Sequence, residues 1–461
     1  MNRAARGHGI AGNARTRCLA GERRALGGRV VHCLLVCCWA QLVLAPPVQA
    51  QRFRELSGRH LTLITDLAES PEVDTLPAVF DQAVPLWRAY FALDERALAD
   101  WRVTGYLMGD SRLFHQAGLV PDDLPVFLNG YARANQLWVF NQPTGYYRRH
   151  LVLHEGVHAL MLASWRGYGP AWYAEGIAEL LATHTWENGK LVLPVFPAER
   201  EAFAGWGRIK LVREEVVRPD APTLQTLLDR PASAFLQNEA YGWAWAACAF
   251  LDGHPRWQPI FRQLKQHVRL RQFNQRFQAA VGEAWPELVD EFSVFAWELE
   301  YGHDLPRWAM QFGPGERLPE SGASVRVRAD GGWQSSGIAL QAGESYRLRA
   351  RGRYQVAAGP PPWRAEANGV SIRYYRGRPL GMLLAAVRVD GKEGAPVAAR
   401  TRHAGFLSPV AVGLDAAMTP EQTGTLYLKI NDSPAELHDN QGVLEVLVER
   451  MQPERENKQR D

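Results

Sequence analysis

Two histidines and a glutamate set into an otherwise apolar helical run constrain this chain more than any other feature. In the segment 147–165, YRRHLVLHEGVHALMLASW, apolar residues recur at helical spacing and His154 and His158 stand four apart. At that spacing both imidazoles lie one turn apart on one helix face, so both can reach a single ion, while Glu155 projects beside them. Two neutral imidazoles and a carboxylate leave a fourth position for a water whose pKa a metal lowers, and an adjacent Glu can take its proton.

After the turn GYGP at 167–170 comes AWYAEGIAELLATH, a second helix with Pro170 at its start. The pair HExxH followed by W-x-x-E-G-x-A-E resembles the gluzincin metallopeptidases, which include thermolysin-like and aminopeptidase-like groups. The resemblance implies a zinc ion held by His154, His158 and Glu175, with Glu155 as general base. It also implies that Glu179, one turn after Glu175, hydrogen-bonds the other ring nitrogen of the first zinc histidine; otherwise Glu179 is a solvated charge. Downstream, NEAYGWAWAACAFL places Tyr241 before Gly242, matching the Tyr that stabilises the oxyanion in aminopeptidase-like gluzincins, or else one more packing aromatic beside Trp243 and Trp245. The chain departs from those aminopeptidases in lacking the upstream Gly-x-Met-Glu-Asn segment that holds a free amine, so aminopeptidase specificity is unsupported. The run QLWVF at 136–140 is either the exposed edge strand on which an extended peptide pairs or an ordinary interior strand. Over residues 52–301 the arrangement is similar to secreted peptidase-MA-like bacterial metallopeptidases of an uncharacterised family.

The first fifty residues combine an Arg-rich start, an apolar run at 30–45 and a small-residue site at Val48-Gln49-Ala50, the pattern of a secretory signal peptide cut before Gln51. A membrane anchor is the alternative, but a run this short falls below a full span. Four of the five cysteines lie in this leader, so only Cys248 remains after cleavage and no intramolecular disulfide can form. The leader also carries seven Arg and one Glu, which leaves 45 basic and 48 acidic side chains in a mature chain of net charge −3. No basic patch suited to nucleic acid appears. The expected location is therefore extracytoplasmic, secreted or periplasmic, without a membrane span after cleavage.

Strand patterns at 59–67, 101–108 and 136–140 and a helical stretch at 76–93 precede the motif, and the chain reads as helices from 147 to about 301. The expected fold is multidomain. An α+β zincin region at 51–303 is followed by a Pro-rich linker at 304–323, an all-β jelly-roll-like sandwich at 324–450, and a disordered tail at 451–461. Between two strands of the sandwich lies NDSPAELHDNQG at 431–442, whose carboxylates and amides suit a hard cation such as Ca²⁺. This loop resembles that of the calcium-dependent galactophilic bacterial lectins. The resemblance implies calcium on Asp432, Asp439 and Asn440, with Glu436 offering at least its backbone, and carbohydrate bound over the ion. The alternative is a solvated turn in a sandwich that only packs on its neighbour.

Together these readings point to an extracytoplasmic zinc peptidase acting on peptide or protein substrates, with an accessory sandwich that takes calcium and carbohydrate. Two alternatives stay open: a non-catalytic, glycan-binding or adhesin-like protein on a gluzincin scaffold, and a zinc hydrolase of non-peptide amides or esters.

Overall fold

The structure, a computed structural model, describes residues 53–94, 96–389 and 403–452. The leader expected at 1–50 and nearly all of the tail expected at 451–461 lie outside them.

The first layer is a mixed five-stranded sheet. Strands β1, Arg54–Ser57, and β2, Leu61–Thr65, pair antiparallel; β3, Val103–Met108, joins β2 in parallel. Strand β4, Gly130–Arg133, turns back antiparallel onto β5, Gln136–Phe140, and β5 pairs with β3 in parallel. The order is thus β1-β2-β3-β5-β4, with β4 at the edge. QLWVF is accordingly an interior strand, buried at its three central residues. Strands β1 and β4 escaped the sequence reading because RELS and GYAR are too short and too evenly half-buried to show an apolar alternation.

Helix α1, Leu76–Phe91, covers the sheet, and α2, Gly145–Trp165, packs on α1. A Cβ on Gly156 would lie 2.5 Å from the Phe80 ring, so the glycine inside the His-Glu-Gly-Val-His run is what lets α1 approach α2. Helix α3, Ala171–Ala182, then crosses α5, Asn238–Gly253, with α4, Arg208–Glu215, beside it. Here Gly176 serves the same end, because a side chain there would collide with Cys248 Sγ and the Ala244 carbonyl. Cys248 is buried, as its apolar neighbours require. Between α3 and α4 the chain is not helical throughout. Thr185–Glu187 and Lys190–Val192 form a hairpin across Asn188 and Gly189, both at positive φ. An Asn-Gly pair favours that turn, so the signal was legible in the sequence and was outweighed there by the surrounding helical pattern.

Helix α6, Trp285–Glu298, closes the helical body. The remainder is β-rich: β6, Ala323–Arg328; β7, Gln334–Leu340; β8, Tyr346–Arg351; β9, Asn368–Tyr375; β10, Arg378–Val389; β11, Asp415–Met418; β12, Gly424–Ile430; and β13, Val443–Arg450. One sheet runs β9-β10-β12-β7, extended by Glu316–Arg317, and the other runs β11-β8-β13-β6. Alternating residues such as Leu348, Val446, Leu426 and Leu428 fill the space between them.

In the sheet that contains β10 and β12, part of the outer face is covered. Trp333, Leu384, Ala386, Tyr427 and Leu437 share one apolar core with the helices, and the stretch 304–323 contributes the short helix Leu305–Trp308 with Trp308 fully buried in that core. Two ion pairs cross the same boundary. Lys429 Nζ lies 2.8 Å from both Glu298 oxygens, and Arg388 donates to Asp290 at 2.9 Å. Trp308 Nε1 also donates to Glu298, at 2.6 Å. Burial opposes ionisation of Glu298, but Lys429 outweighs it and holds the carboxyl below its usual range. Lys429→Met should therefore strand a buried carboxylate and cost about 3–5 kcal/mol. Adding Glu298→Gln should recover most of that loss; urea unfolding of the two variants checks both values. Because the folded pKa is lowered, the pair's stabilisation is present above the ordinary carboxylate range and is lost as pH falls through it.

Candidate metal centre

The geometry begins with α2, whose N-cap Thr144 accepts a hydrogen bond from the Tyr147 amide at 3.1 Å. Nearly the whole helix is buried, so its polar side chains must find partners inside the protein. His154 and His158 turn the same way, and α3 brings Glu175 to meet them. His154 Nε2 lies 3.2 Å from His158 Nε2 and 3.2 Å from Glu175 Oε2, and His158 Nε2 lies 3.4 Å from the same oxygen. Three basic atoms this close repel one another unless protons or a cation sit among them. Tetrahedral coordination with bonds of about 2.05 Å would space its ligands by about 3.3 Å. The three separations match that triangle, and the group could hold a metal ion.

Electrostatics point the same way. Burial opposes protonation of His154, yet its bonds to Glu175 and Glu179 outweigh burial and raise its pKa to about 10. Burial likewise opposes ionisation of Glu175, but His158 and His154 pull its carboxyl down to about 2. The carboxylates of the cluster thus favour positive charge on or between the two histidines.

Glu155 is 5% exposed, and burial pushes its carboxyl above the usual range despite the two histidines. It faces the edge strand: a Cβ on Gly130 would stand 2.5 Å from Glu155 Oε1, so a side chain at 130 would have to displace the Glu155 carboxyl. Tyr241, in the first turn of α5, sets its ring 6.0 Å from the His154 ring and edge-on to Phe235. Burial, then the charges of Glu175 and Glu155, raise its phenol well above the usual range, so it stays protonated and able to donate.

Behind His154 sits Glu179, 1% exposed. Its Oε1 lies 3.4 Å from His154 Nδ1 and its Oε2 lies 3.3 Å from His150 Nε2, close charge contacts that lack the alignment of a hydrogen bond, so the bond expected between Glu179 and His154 is a near approach in this structure. Arg208 donates to both oxygens, at 2.9 Å each, and Trp206 Nε1 donates to Oε2 at 3.2 Å. His150, His154 and Glu179 form a second group that could hold a metal. An ion there would share Glu179 with a guanidinium already bonded to both of its oxygens, whereas among the described residues no guanidinium binds Glu175 in this way. The His154, His158 and Glu175 triangle is therefore the better cation site.

Sequence reasoning did not find Arg208, Trp206, β4, or Tyr168, whose ring lies 5.7 Å from that of His158. The segment FAGWGR at 203–208 matches no motif. It reaches Glu179 because Gly207, at φ +65°, turns the chain into α4.

In the sandwich, the loop residues are partly brought together. Asp432 is fully buried; its Oδ1 accepts from the Ser433 amide at 2.7 Å and its Oδ2 from Asn440 Nδ2 at 2.8 Å. Burial raises its carboxyl to about 6. Asp439 accepts from the Ala358 amide at 2.8 Å through Oδ2, while Asp439 Oδ1 and Asn440 Oδ1 are buried without a hydrogen-bond partner. The Glu436 carboxylate is engaged elsewhere, by Arg373 at 2.6 Å.

No family model and no curated protein sequence matches the chain. Among solved structures, the N-terminal domain of EclA, a PllA-like lectin, is 22% identical over 28% of this chain and 95% of its own length, with a TM-score of 0.21. The structure of IMPa from Pseudomonas aeruginosa in complex with an O-glycopeptide is 12% identical over 60% of this chain, with a TM-score of 0.16. This chain spans only 27% of the length of IMPa, and both likenesses are partial and distant.

Proposed function

We propose that the protein is an extracytoplasmic zinc-dependent peptidase. The observation that carries this reading is the triangle of His154 Nε2, His158 Nε2 and Glu175 Oε2, whose edges of 3.2–3.4 Å suit one small ion, with Glu155 beside it. Zinc bound there would polarise both a water and a scissile carbonyl. Glu155, buried and with its proton affinity raised, takes the proton of the attacking water and returns it to the departing amine. Tyr241 keeps its phenolic proton and offers it to the carbonyl oxygen as charge develops there. Glu179 fixes the ring of His154 from behind.

The peptide would lie extended along β4, the free edge of the five-stranded sheet, with its main chain completing the strand's hydrogen bonds. Val126 and Leu128, exposed just before β4, offer apolar contacts to its side chains. Among the described residues no helix is long and apolar enough to cross a membrane. Metal analysis tests the reading: purified protein should hold one zinc per chain, and X-ray absorption at the zinc edge should show two imidazole nitrogens with oxygen ligands. A protein that binds no zinc at micromolar concentration would exclude it.

The sandwich is proposed to bind calcium through Asp432, Asp439 and Asn440, and carbohydrate over the ion as the lectin-like loop implies. The supporting observation is that Asp439 Oδ1 and Asn440 Oδ1 are buried without hydrogen-bond partners among the described residues, in the loop whose Asn440 amide bonds the Asp432 carboxylate. Calcium at a hundred times its dissociation constant should then stabilise the fold by about 2.7 kcal/mol. Thermal unfolding with and without calcium, repeated on Asp432→Asn, measures this; an unchanged melting temperature in the parent protein would leave the loop a structural turn.

A further inference from the structure

Glu179 is the most heavily contacted carboxylate near the metal centre, and its environment raises a physical problem. A carboxylate 1% exposed to solvent loses its hydration, at an effective cost of several kcal/mol. The chain solves this with Arg208, itself 5% exposed, whose Nε and Nη2 reach Oε2 and Oε1 of Glu179 at 2.9 Å each. This fork fixes the carboxylate plane as well as its charge. Trp206 holds one oxygen from the same segment, which leaves Oε1 turned to His154 Nδ1 at 3.4 Å.

The same guanidinium lies near two aromatic rings. Its carbon lies 5.5 Å from the centroid of Tyr241 and 5.9 Å from that of Tyr147, and Nη2 meets the Tyr147 hydroxyl at 3.4 Å. Helix α5 packs closely on α4 at residue 242, where a Cβ would stand 3.3 Å from Leu211 Cβ and 3.4 Å from the Arg208 carbonyl, near ordinary contact. Arg208 therefore touches the support of one candidate ligand and the ring of the candidate oxyanion donor.

We propose that Arg208 is a positioning residue of the metal centre: acting through Glu179, its guanidinium holds the His154 ring in the orientation that binds the ion. The inference rests on His154, His158 and Glu175 being the zinc ligands. Outer-shell partners of metal-bound histidines are worth about 10–100-fold in metal affinity. Arg208→Lys keeps the charge but loses the planar fork, and is expected to weaken zinc about tenfold in competition with a chromophoric chelator. The visible absorption of the cobalt-substituted protein should shift with it.

A double-mutant cycle separates positioning from general packing. Glu179→Gln alone should weaken zinc by about 10–100-fold. Adding Arg208→Met to Glu179→Gln, which removes both buried charges together, should change the affinity less than twofold further, because the arginine then has nothing to hold. Circular dichroism establishes that each variant is folded. A folded Arg208→Lys protein with the parent's zinc affinity and cobalt spectrum would overturn the inference, as would a further tenfold loss on adding Arg208→Met to Glu179→Gln. Parent protein that binds no zinc would instead overturn the ligand assignment beneath it.

Discussion

Glu155→Gln is expected to bind zinc as tightly as the parent protein and to hydrolyse peptides about 10³-fold more slowly. The substitution keeps the side chain's volume, which matters because Glu155 fits against Gly130 at the edge strand with little room to spare. It removes only the ability to accept a proton. Because Glu155 is not one of the three atoms in the metal triangle, zinc content should not change. The effect should fall on kcat, with KM nearly unaltered, since the lost interaction is one made as the water's proton is transferred. Turnover within tenfold of the parent would remove Glu155 from the role of general base.

Glu175→Ala should do the reverse and empty the metal site. On the scale of structural zinc sites, which release about 10–16 kcal/mol on binding, one ligand of four accounts for about 2.5–4 kcal/mol, or roughly 10²–10³-fold in affinity. The loss should also appear in the fold's electrostatics. With Glu175 gone, His154 keeps Glu179 as its carboxylate partner but loses the bond that contributes most to its raised pKa. Chelator competition distinguishes the two glutamates on α3: Glu175→Ala should lose clearly more affinity than Glu179→Gln. Equal losses would mean that the third ligand had been placed on the wrong residue.

The helical spacing of apolar residues made α2 and α3 legible, and with them His154, Glu155, His158 and Glu175, because one turn of helix dictates which side chains share a face. The distance between the two helices was not legible. It depends on Gly176 against Cys248 and Ala244, seventy residues apart, and no local pattern encodes such a contact. The same holds for Arg208, which reaches Glu179 across 29 residues through one left-handed glycine. Edge strand β4 was hidden because four half-buried residues carry no alternation, while the Asn188-Gly189 hairpin was readable and was masked by its helical surroundings. In the sandwich, period-two alternation marked the region as all-β. It could not reveal that the outside of one sheet is apolar too, at Leu384, Ala386 and Tyr427, and shares the core of the helices.

The central claim is peptide hydrolysis at the His154, His158 and Glu175 site. The most direct measurement incubates parent protein, chelator-treated protein, zinc-restored protein and Glu155→Gln with a diverse peptide mixture, and reads new termini by mass spectrometry. The account predicts new termini with the parent and the zinc-restored protein only, with cut sites that define its preference. Zinc bound at one per chain without any new termini would contradict the peptidase reading, and cleavage by Glu155→Gln within tenfold of the parent's rate would contradict the mechanism.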